Sequence, residues 1–374
     1  MQRISFRKRL PAMIGPGLAV FALVLGACAP TAAPGRTGAP AQAPAATASD
    51  PADLARHFQG KTITLTVGYA PGGGFDTTAR IFAEFAPRHI PGNPSFAVVN
   101  QPGGDSLVAA QKVMAQKPDG LNWVLFIDGL VKRDILGDLE GFDATRVTYL
   151  GTPDNGAAET FFMVRSEVGT SARALLASPR PLKIADARGG SGAQAEFAKL
   201  VGFPIDVVYG YSGTSEYFAA MNRGEVDGSF RGDPTIIKRL FPEWAKTKFI
   251  TPVLFFDAPC CQDFIAEGGW ETPPVLTGLV TLNETQKRAY DAHNAIRATR
   301  IFGLPPGVPD NLRLGLQQAF AETLKDPEFV KMMDERGGIQ VSLGTGEEIL
   351  RSVRNLAEQP KEVRDILKVM YQIQ

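Results

Sequence analysis

Apolar and polar residues alternate with period two over Thr62–Val67, where Ile63, Leu65 and Val67 take turns with threonines. That is the pattern of a strand with one buried face. The chain then breaks at Pro71-Gly72-Gly73-Gly74. From 76 to about 86 the period becomes helical, with Ala79, Phe82, Ala83 and Ala86 on one face. The same succession returns: 95–99 reads as a strand, 100–106 as a turn and 107–115 as a helix. Pro118-Asp119-Gly120 then turns the chain into an apolar strand, Asn122–Ile127. Strands alternating with helices predict an α/β fold with a mainly parallel sheet.

The pattern repeats downstream. Strand-like segments at 147–150 and 160–164 flank the turn Pro153-Asp154-Asn155-Gly156, taken as the crossing into a second domain. There a strand at 182–185 leads through Arg188-Gly189-Gly190-Ser191-Gly192 into a helix at 194–201. A strand at 205–209 leads through Tyr211-Ser212-Gly213-Thr214 into a helix at 216–222, and 226–230 reads as an edge strand. The apolar strand at 249–256 is expected to carry the chain back. Residues 284–302 read as one long amphipathic helix, stopped by Pro305 and Pro306. Helices at 310–324, 327–335, 347–356 and 362–371 form a tail expected to pack on the first domain. The expected division is 58–155 plus 251–374 for the first domain and 156–250 for the second.

Charge changes this picture only at the N-terminus. The formal net charge is zero, and Arg3, Arg7, Lys8 and Arg9 are the only charged residues among the first 27, so the remainder is net negative by the same four. That balance gives no sign of the basic patch a nucleic-acid binder needs. After the basic stretch, 12–25 is apolar but too short and glycine-broken to span a membrane comfortably. Leu25-Gly26-Ala27-Cys28 then looks like a lipobox, which predicts a signal peptide over 1–27 and a lipid on Cys28. A plain secretory signal with a chance cysteine is the alternative. Residues 29–50 are almost wholly Ala, Pro, Thr, Gly and Ser, so 28–57 is expected to be a tether. Such a protein is held at a membrane face without spanning it. Cys260 and Cys261 are adjacent and cannot staple distant segments. They fit a vicinal disulfide, an intermolecular pair, or two thiols with no special task.

The catalytic inventory is thin. The three histidines stand in separate contexts, and no H-E-x-x-H or C-x-x-C is present, so neither metal nor cofactor is expected. Gly189-Gly190-Ser191-Gly192-Ala193 is one residue from a nucleophile elbow, with Ala193 in place of the last glycine. No histidine follows at a suitable strand end, which favours Ser191 as a ligand-binding hydroxyl. Residues 72–76 match neither a P-loop nor G-x-G-x-x-G.

What remains is a set of glycine loops opening helices. Each presents unpaired backbone N–H groups at the positive end of a helix dipole, which suits an anion. In α/β sheets ligands sit beyond the carboxyl ends of strands. The first-loop candidates are therefore Pro71, Gly72, Gly73, Gly74, Phe75 and Asp76. Gly103, Gly104, Asp105 and Ser106 form the second loop, and Asp128 ends the third strand. In the second domain the candidates are Gly190, Ser191 and Gly192, then Tyr211, Gly213 and Thr214. Asp76 fits an N-cap or a ligand-orienting acceptor, Phe75 a pocket wall or loop packing, Ser106 a ligand donor or a helix cap. Tyr211 fits a hydroxyl donor or core area. Arg80 reads as structural and Arg188 is open. Loops without base, nucleophile or metal point to binding and release rather than turnover, and two domains suit closure about a hinge.

These motifs, taken in order, resemble the extracytoplasmic solute receptors of tripartite tricarboxylate transporters, the Bug-type receptors. The resemblance covers about 58–371. It rests on Phe58-Gln59-Gly60-Lys61 before the first strand, on Ala70-Pro71-Gly72-Gly73-Gly74-Phe75-Asp76 with Ala79-Arg80, and on Asn100-Gln101-Pro102-Gly103. Pro118-Asp119-Gly120, Tyr211-Ser212-Gly213 with Gly224-Glu225-Val226-Asp227, and Pro306-Gly307-Val308-Pro309 with Lys325-Asp326-Pro327 complete it. The resemblance implies a two-domain clamshell of the periplasmic-binding-protein type (type II-like), each domain a mixed sheet flanked by helices, with two crossings. It implies an extracytoplasmic monomer that captures a small organic acid and delivers it to a two-component membrane permease. The ligand carboxylate would be held by backbone N–H groups and ordered water in the two first-domain loops, with Ser191 and Gly192 facing the other end of a diacid. One departure stands out: Pro102-Gly103-Gly104-Asp105 replaces the Pro-Gly-Ala-Gly common in the family. Asp105 either caps a helix or faces the ligand, where it would repel a carboxylate or favour a ligand that also carries an amine or hydroxyl. The alternatives are an exported hydrolase with Ser191 as nucleophile, and a ligand sensor in a signalling system.

Overall fold

The computed structural model describes residues 50–137, 139–155, 160–186, 190–211, 214–296 and 298–373. The leader, Cys28, Arg188, Gly189, Ser212 and Gly213 lie outside them.

Strands β1 (Thr62–Val67), β2 (Ser95–Asn100), β3 (Asn122–Ile127) and β4 (Thr148–Thr152) belong to a first sheet. β5 (Phe161–Arg165), β6 (Leu182–Ala185), β7 (Ile205–Val208), β8 (Gly228–Gly232) and β9 (Ile250–Phe255) form a second. β10 (Arg300–Leu304) and β11 (Gly344–Thr345) return to the first. The strand orders are β11-β4-β10-β3-β1-β2 and β7-β6-β8-β5-β9. β1 runs parallel to β2 and β3, and β10 lies antiparallel between β3 and β4. In the second sheet β6 is parallel to β7 and β8, while β5 is antiparallel to β8 and β9. Both sheets are thus mixed and flanked by helices.

The alternation in the sequence explains how the first sheet is covered. Ile63, Leu65 and Val67 share one apolar cluster with Trp123, Leu125 and Phe82, while Val124 and Phe126 enter another. A strand apolar on both faces, such as β3, belongs in the sheet interior with helices above and below. Helices Pro51–Phe58, Gly74–Phe85 and Asp310–Lys325 supply the first face, and Leu107–Met114, Asp128–Ile135 and Gly346–Ala357 the second. That second cluster runs on into the other sheet through Phe162, Val164, Ile184 and Phe230. The opposite face of the second sheet packs Phe161, Met163 and Phe255 on Phe218 and Trp244.

Several expectations are corrected. Residues 284–302 are not one helix: the helix Glu284–Ala295 ends and β10 begins at Arg300. The Ile301-Phe302 pair there fills both faces of the first sheet, a tertiary demand that helical periodicity hides. The strand at 249–256 does not carry the chain back, because β9 pairs with β5 along its length. The segment near 226–230 is no edge strand, since β8 lies between β6 and β5. The tether does not reach 57: Asp50 caps the helix Pro51–Phe58, which buries Leu54 and Phe58. The tail is divided. Asp310–Lys325 and Gly346–Ala357 pack on β4, but Lys361–Tyr371 packs on the helices Gly190–Leu200 and Glu284–Ala295. Cys260 and Cys261 are both thiols, with no bond between them.

Candidate ligand-binding site

The parallel strands of the first sheet end side by side, Val67 level with Asn100 and with Leu125. The loops that leave them therefore crowd one edge of the sheet. Arg300, the first residue of β10, pairs with Ile127 and joins the same edge.

Asp76 organises the first loop. It is the third residue of the helix Gly74–Phe85 and is buried. Its Oδ2 accepts the Gly72 N–H at 2.8 Å and Arg80 Nε at 2.9 Å, and its Oδ1 accepts Asn100 Nδ2 at 2.9 Å. The carboxylate thereby folds the glycine turn back onto its own helix and fastens it to the end of β2. Burial alone would raise its pKa, but the bonds from Arg80, Gly72 and Asn100 outweigh this and hold it at about 2. Asp76 thus builds the loop, and Arg80 is its partner. The Gly72 N–H is spent in the process. The N–H groups at the start of the helix Gly74–Phe85 have no intrahelical acceptor, and its N-cap, Gly73, provides no side-chain cap. Pro71, Gly72, Gly73 and Gly74 are exposed. Phe75 packs on Tyr69 with ring centroids 4.3 Å apart.

The second loop turns left-handed for four residues, with φ of 139° at Gly103, 58° at Gly104, 58° at Asp105 and 73° at Ser106. Such a run is costly for Asp105 and Ser106 and needs support from its surroundings. Asp105 Oδ1 accepts the Tyr69 hydroxyl at 2.7 Å, which ties the two loops together. Burial, then the Asp105 charge, pushes the Tyr69 hydroxyl far up from its ordinary pKa. Ser106 is buried; its Oγ donates to the Asp105 carbonyl at 2.6 Å and accepts the Ile127 N–H at 3.2 Å. Of the roles expected for Ser106, it does not cap the helix with its side chain, and it stitches the loop to β3. A Cβ on Gly68 would lie 2.1 Å from the Ser106 Cβ, so the loops close only because position 68 is glycine. Gly68→Ala is expected to cost about 1–3 kcal/mol by forcing them apart. Urea denaturation measures this, and an unchanged midpoint would show that the loops do not interlock.

Asp128 heads the helix Asp128–Ile135 and accepts Lys132 Nζ at 2.6 Å. Its charge is committed inward to Lys132.

On the second sheet, β6 and β7 end level at Ala185 and Val208. Gly190, Ser191 and Gly192 form the first turn of the helix Gly190–Leu200, and Thr214 opens the helix Thr214–Asn222. Tyr211 is half-buried, edge-on to Tyr217 at 5.9 Å, and burial raises its pKa. Gly213 lies outside the described residues. The backbone thus places the first-loop, second-loop and Asp128 candidates at one sheet edge, and Gly190–Gly192, Tyr211 and Thr214 at one edge of the other. The sequence reading missed Tyr69, Asp154 and Arg300. Only Tyr69 carried a signal, as the residue directly before the Ala70-Pro71 motif.

Known structures share this fold. A TctC solute-binding protein from Polaromonas superposes with a TM-score of 0.62 at 16% identity, covering 83% of this chain and 98% of its own. The fold is that of a TctC-type solute-binding protein. A Rhodopseudomonas palustris protein solved with adipate matches with a TM-score of 0.59 at 19% identity, over 82% of this chain and 97% of its own. MatC from Rhodopseudomonas palustris, with bound malate, matches with a TM-score of 0.56 at 14% identity, over 83% and 100%. No protein-family model matches the chain, and no curated protein matches it by sequence. Among the described residues of this TctC-like fold, no group of three or more His, Cys, Asp or Glu side chains could hold a metal ion. No helix among them is long and apolar enough to cross a membrane.

Proposed function

We propose that the protein is a Bug-type solute receptor that captures a small organic acid between its two glycine-loop edges and passes it to a two-component membrane permease. The observation that carries the reading is the uncapped start of the helix Gly74–Phe85, held open beside the second loop by Asp76 and Asn100. Backbone donors there need no metal, and a carboxylate is the anion they suit. In this reading Pro71–Phe75 and Gly103–Asp105 form one jaw. Gly190–Gly192, Tyr211, Gly213 and Thr214 form the other. Residues 1–27 are removed and Cys28 carries the lipid that holds the receptor, a monomer, at the outer face of a membrane. Binding, not turnover, is its activity. The adipate and malate in the two neighbours give the first compounds to try.

A thermal-shift screen of purified mature protein tests this. An acid present at a hundred times its dissociation constant is expected to add about 2.7 kcal/mol of stability. No shift with any di- or tricarboxylate, amino acid or aromatic acid would remove the receptor reading. Gly73→Leu is expected to abolish the shift while leaving the fold intact, because a side chain there would cover the helix start.

A further inference from the structure

Arg300 stands at the first jaw, although the sequence pattern hid it inside a helix. Its Nη1 donates to Asp154 Oδ2 at 2.8 Å, and its backbone N–H donates to Asp154 Oδ1 at 3.1 Å. The guanidinium carbon lies 5.1 Å from the centroid of the Phe75 ring. Nη2 reaches to 3.1 Å from where a Cβ on Gly74 would sit. Gly74 is the first residue of the helix Gly74–Phe85. The cation is therefore placed at the positive end of a helix dipole, an arrangement that is repulsive by itself.

Asp154 offsets only part of this. It also accepts the Thr152 hydroxyl at 2.5 Å, so it serves as a local anchor for β4 and β10. Arg300 Nε is buried and has no hydrogen-bond partner among the described residues. A guanidinium carries five donors in a fixed plane and is best satisfied by a carboxylate. A positive helix end and an under-satisfied guanidinium thus share one small space, with the Phe75 ring beside the guanidinium. A bound anion is what removes their mutual repulsion.

We propose that Arg300 is a ligand-binding and specificity-determining residue: it gives a charge-assisted hydrogen bond to the same ligand carboxylate that accepts the N–H groups at Gly73–Phe75. This rests on the receptor reading above and adds a fixed positive charge to a jaw otherwise built from backbone. It makes the jaw select an ionised carboxylate over the corresponding amide or ester, a discrimination that neutral N–H donors alone supply weakly.

The test uses the mature protein with adipate and malate as probes, by isothermal titration. Arg300→Met is expected to weaken the acid that binds by about 10- to 100-fold, the loss of one charge-assisted hydrogen bond, and Arg300→Lys to weaken it less. The amide of that acid is expected to bind the native protein poorly and to lose little more in Arg300→Met. Equal acid affinity in the native protein and Arg300→Met would overturn the role of Arg300 while leaving the receptor reading intact. If neither binds, the acid found by the thermal-shift screen takes their place, and binding of no acid in that screen to the native protein would remove both. Since Arg300→Met also frees Asp154 and can weaken the fold, a second measurement needs no variant: phenylglyoxal modification of Arg300, followed by mass spectrometry, is expected to slow when the acid is bound. Modification at an unchanged rate under saturating acid would overturn the proposal.

Discussion

Lys132→Met is expected to destabilise the protein by about 3–5 kcal/mol, the loss that follows when one member of a buried ion pair is left alone. Lys132 Nζ lies 2.6 Å from Asp128 Oδ2, and the two side chains are only 4% and 14% exposed. Burial works against the ammonium, but the Asp128 carboxylate outweighs it and lifts the Lys132 pKa above the ordinary lysine value. Removing the ammonium strands a carboxylate directly after β3, at the edge where the glycine loops meet. Urea denaturation reads the effect as a lower midpoint with an unchanged slope. The double variant Asp128→Asn/Lys132→Met should recover much of the loss, because no uncompensated charge remains. A single-variant loss below about 1 kcal/mol would place the pair in the class of screened surface bridges instead.

The same lysine reaches a second buried group. His293 Nδ1 and the Tyr371 hydroxyl are 2.8 Å apart, and Lys132 Nζ lies 5.8 Å from the Tyr371 ring centroid. Burial first, and then the Lys132 charge, holds His293 well below the ordinary histidine pKa. The unfolded chain protonates at this position where the folded one does not, so stability falls as the pH drops below about 6.5. Lys132→Met should therefore raise the His293 pKa, which an NMR titration of its ring protons detects.

Asp76→Asn is expected to cost about 2–3 kcal/mol and to weaken ligand binding, since charge-assisted bonds from Arg80 and Gly72 fail together. The sign of its pH dependence follows from a pKa lowered from 3.8 to about 2. The folded carboxyl releases its proton more readily than the unfolded one, so its stabilisation is present above pH 3.8 and is lost as the pH falls toward 2. With Arg80 half exposed and screened by solvent, this step should be about 1–2 kcal/mol. Thermal melts from pH 7 to pH 2 should show it in the native protein and not in Asp76→Asn. Parallel curves would mean that Asp76 is not the hub of the loop.

How much of this was legible beforehand differs from element to element. β1 and the helix after it were readable because Ile63, Leu65 and Val67, then Ala79 and Phe82, repeat at the spacing of their own element. β3 was readable as an apolar run between turns. β10 was not: Arg300–Leu304 continues the helical spacing of 284–295 closely enough to be absorbed into it, and only its antiparallel pairing with β3 and β4 selects a strand. Sequence alone leaves Asp76 between two functions because it cannot show that Asn100, 24 residues on, is within hydrogen-bonding distance. Asp105 has no sequence signal for its partner, the Tyr69 hydroxyl, which lies 36 residues away and meets it only in the folded chain.

The sequence by itself determined the α/β class, the glycine loops between strands and helices, and the thin catalytic inventory. Those follow from local periodicity, backbone freedom and residue type, all of which are properties of short segments. Tertiary structure alone decided that Arg300 stands beside the triple-glycine turn, that Asp128 is committed to Lys132, and that Ser106 bonds to β3. Each of these depends on which distant strands pair and which side chains are then pressed together. Strand order is set by the burial of whole faces, a global balance that no single segment contains.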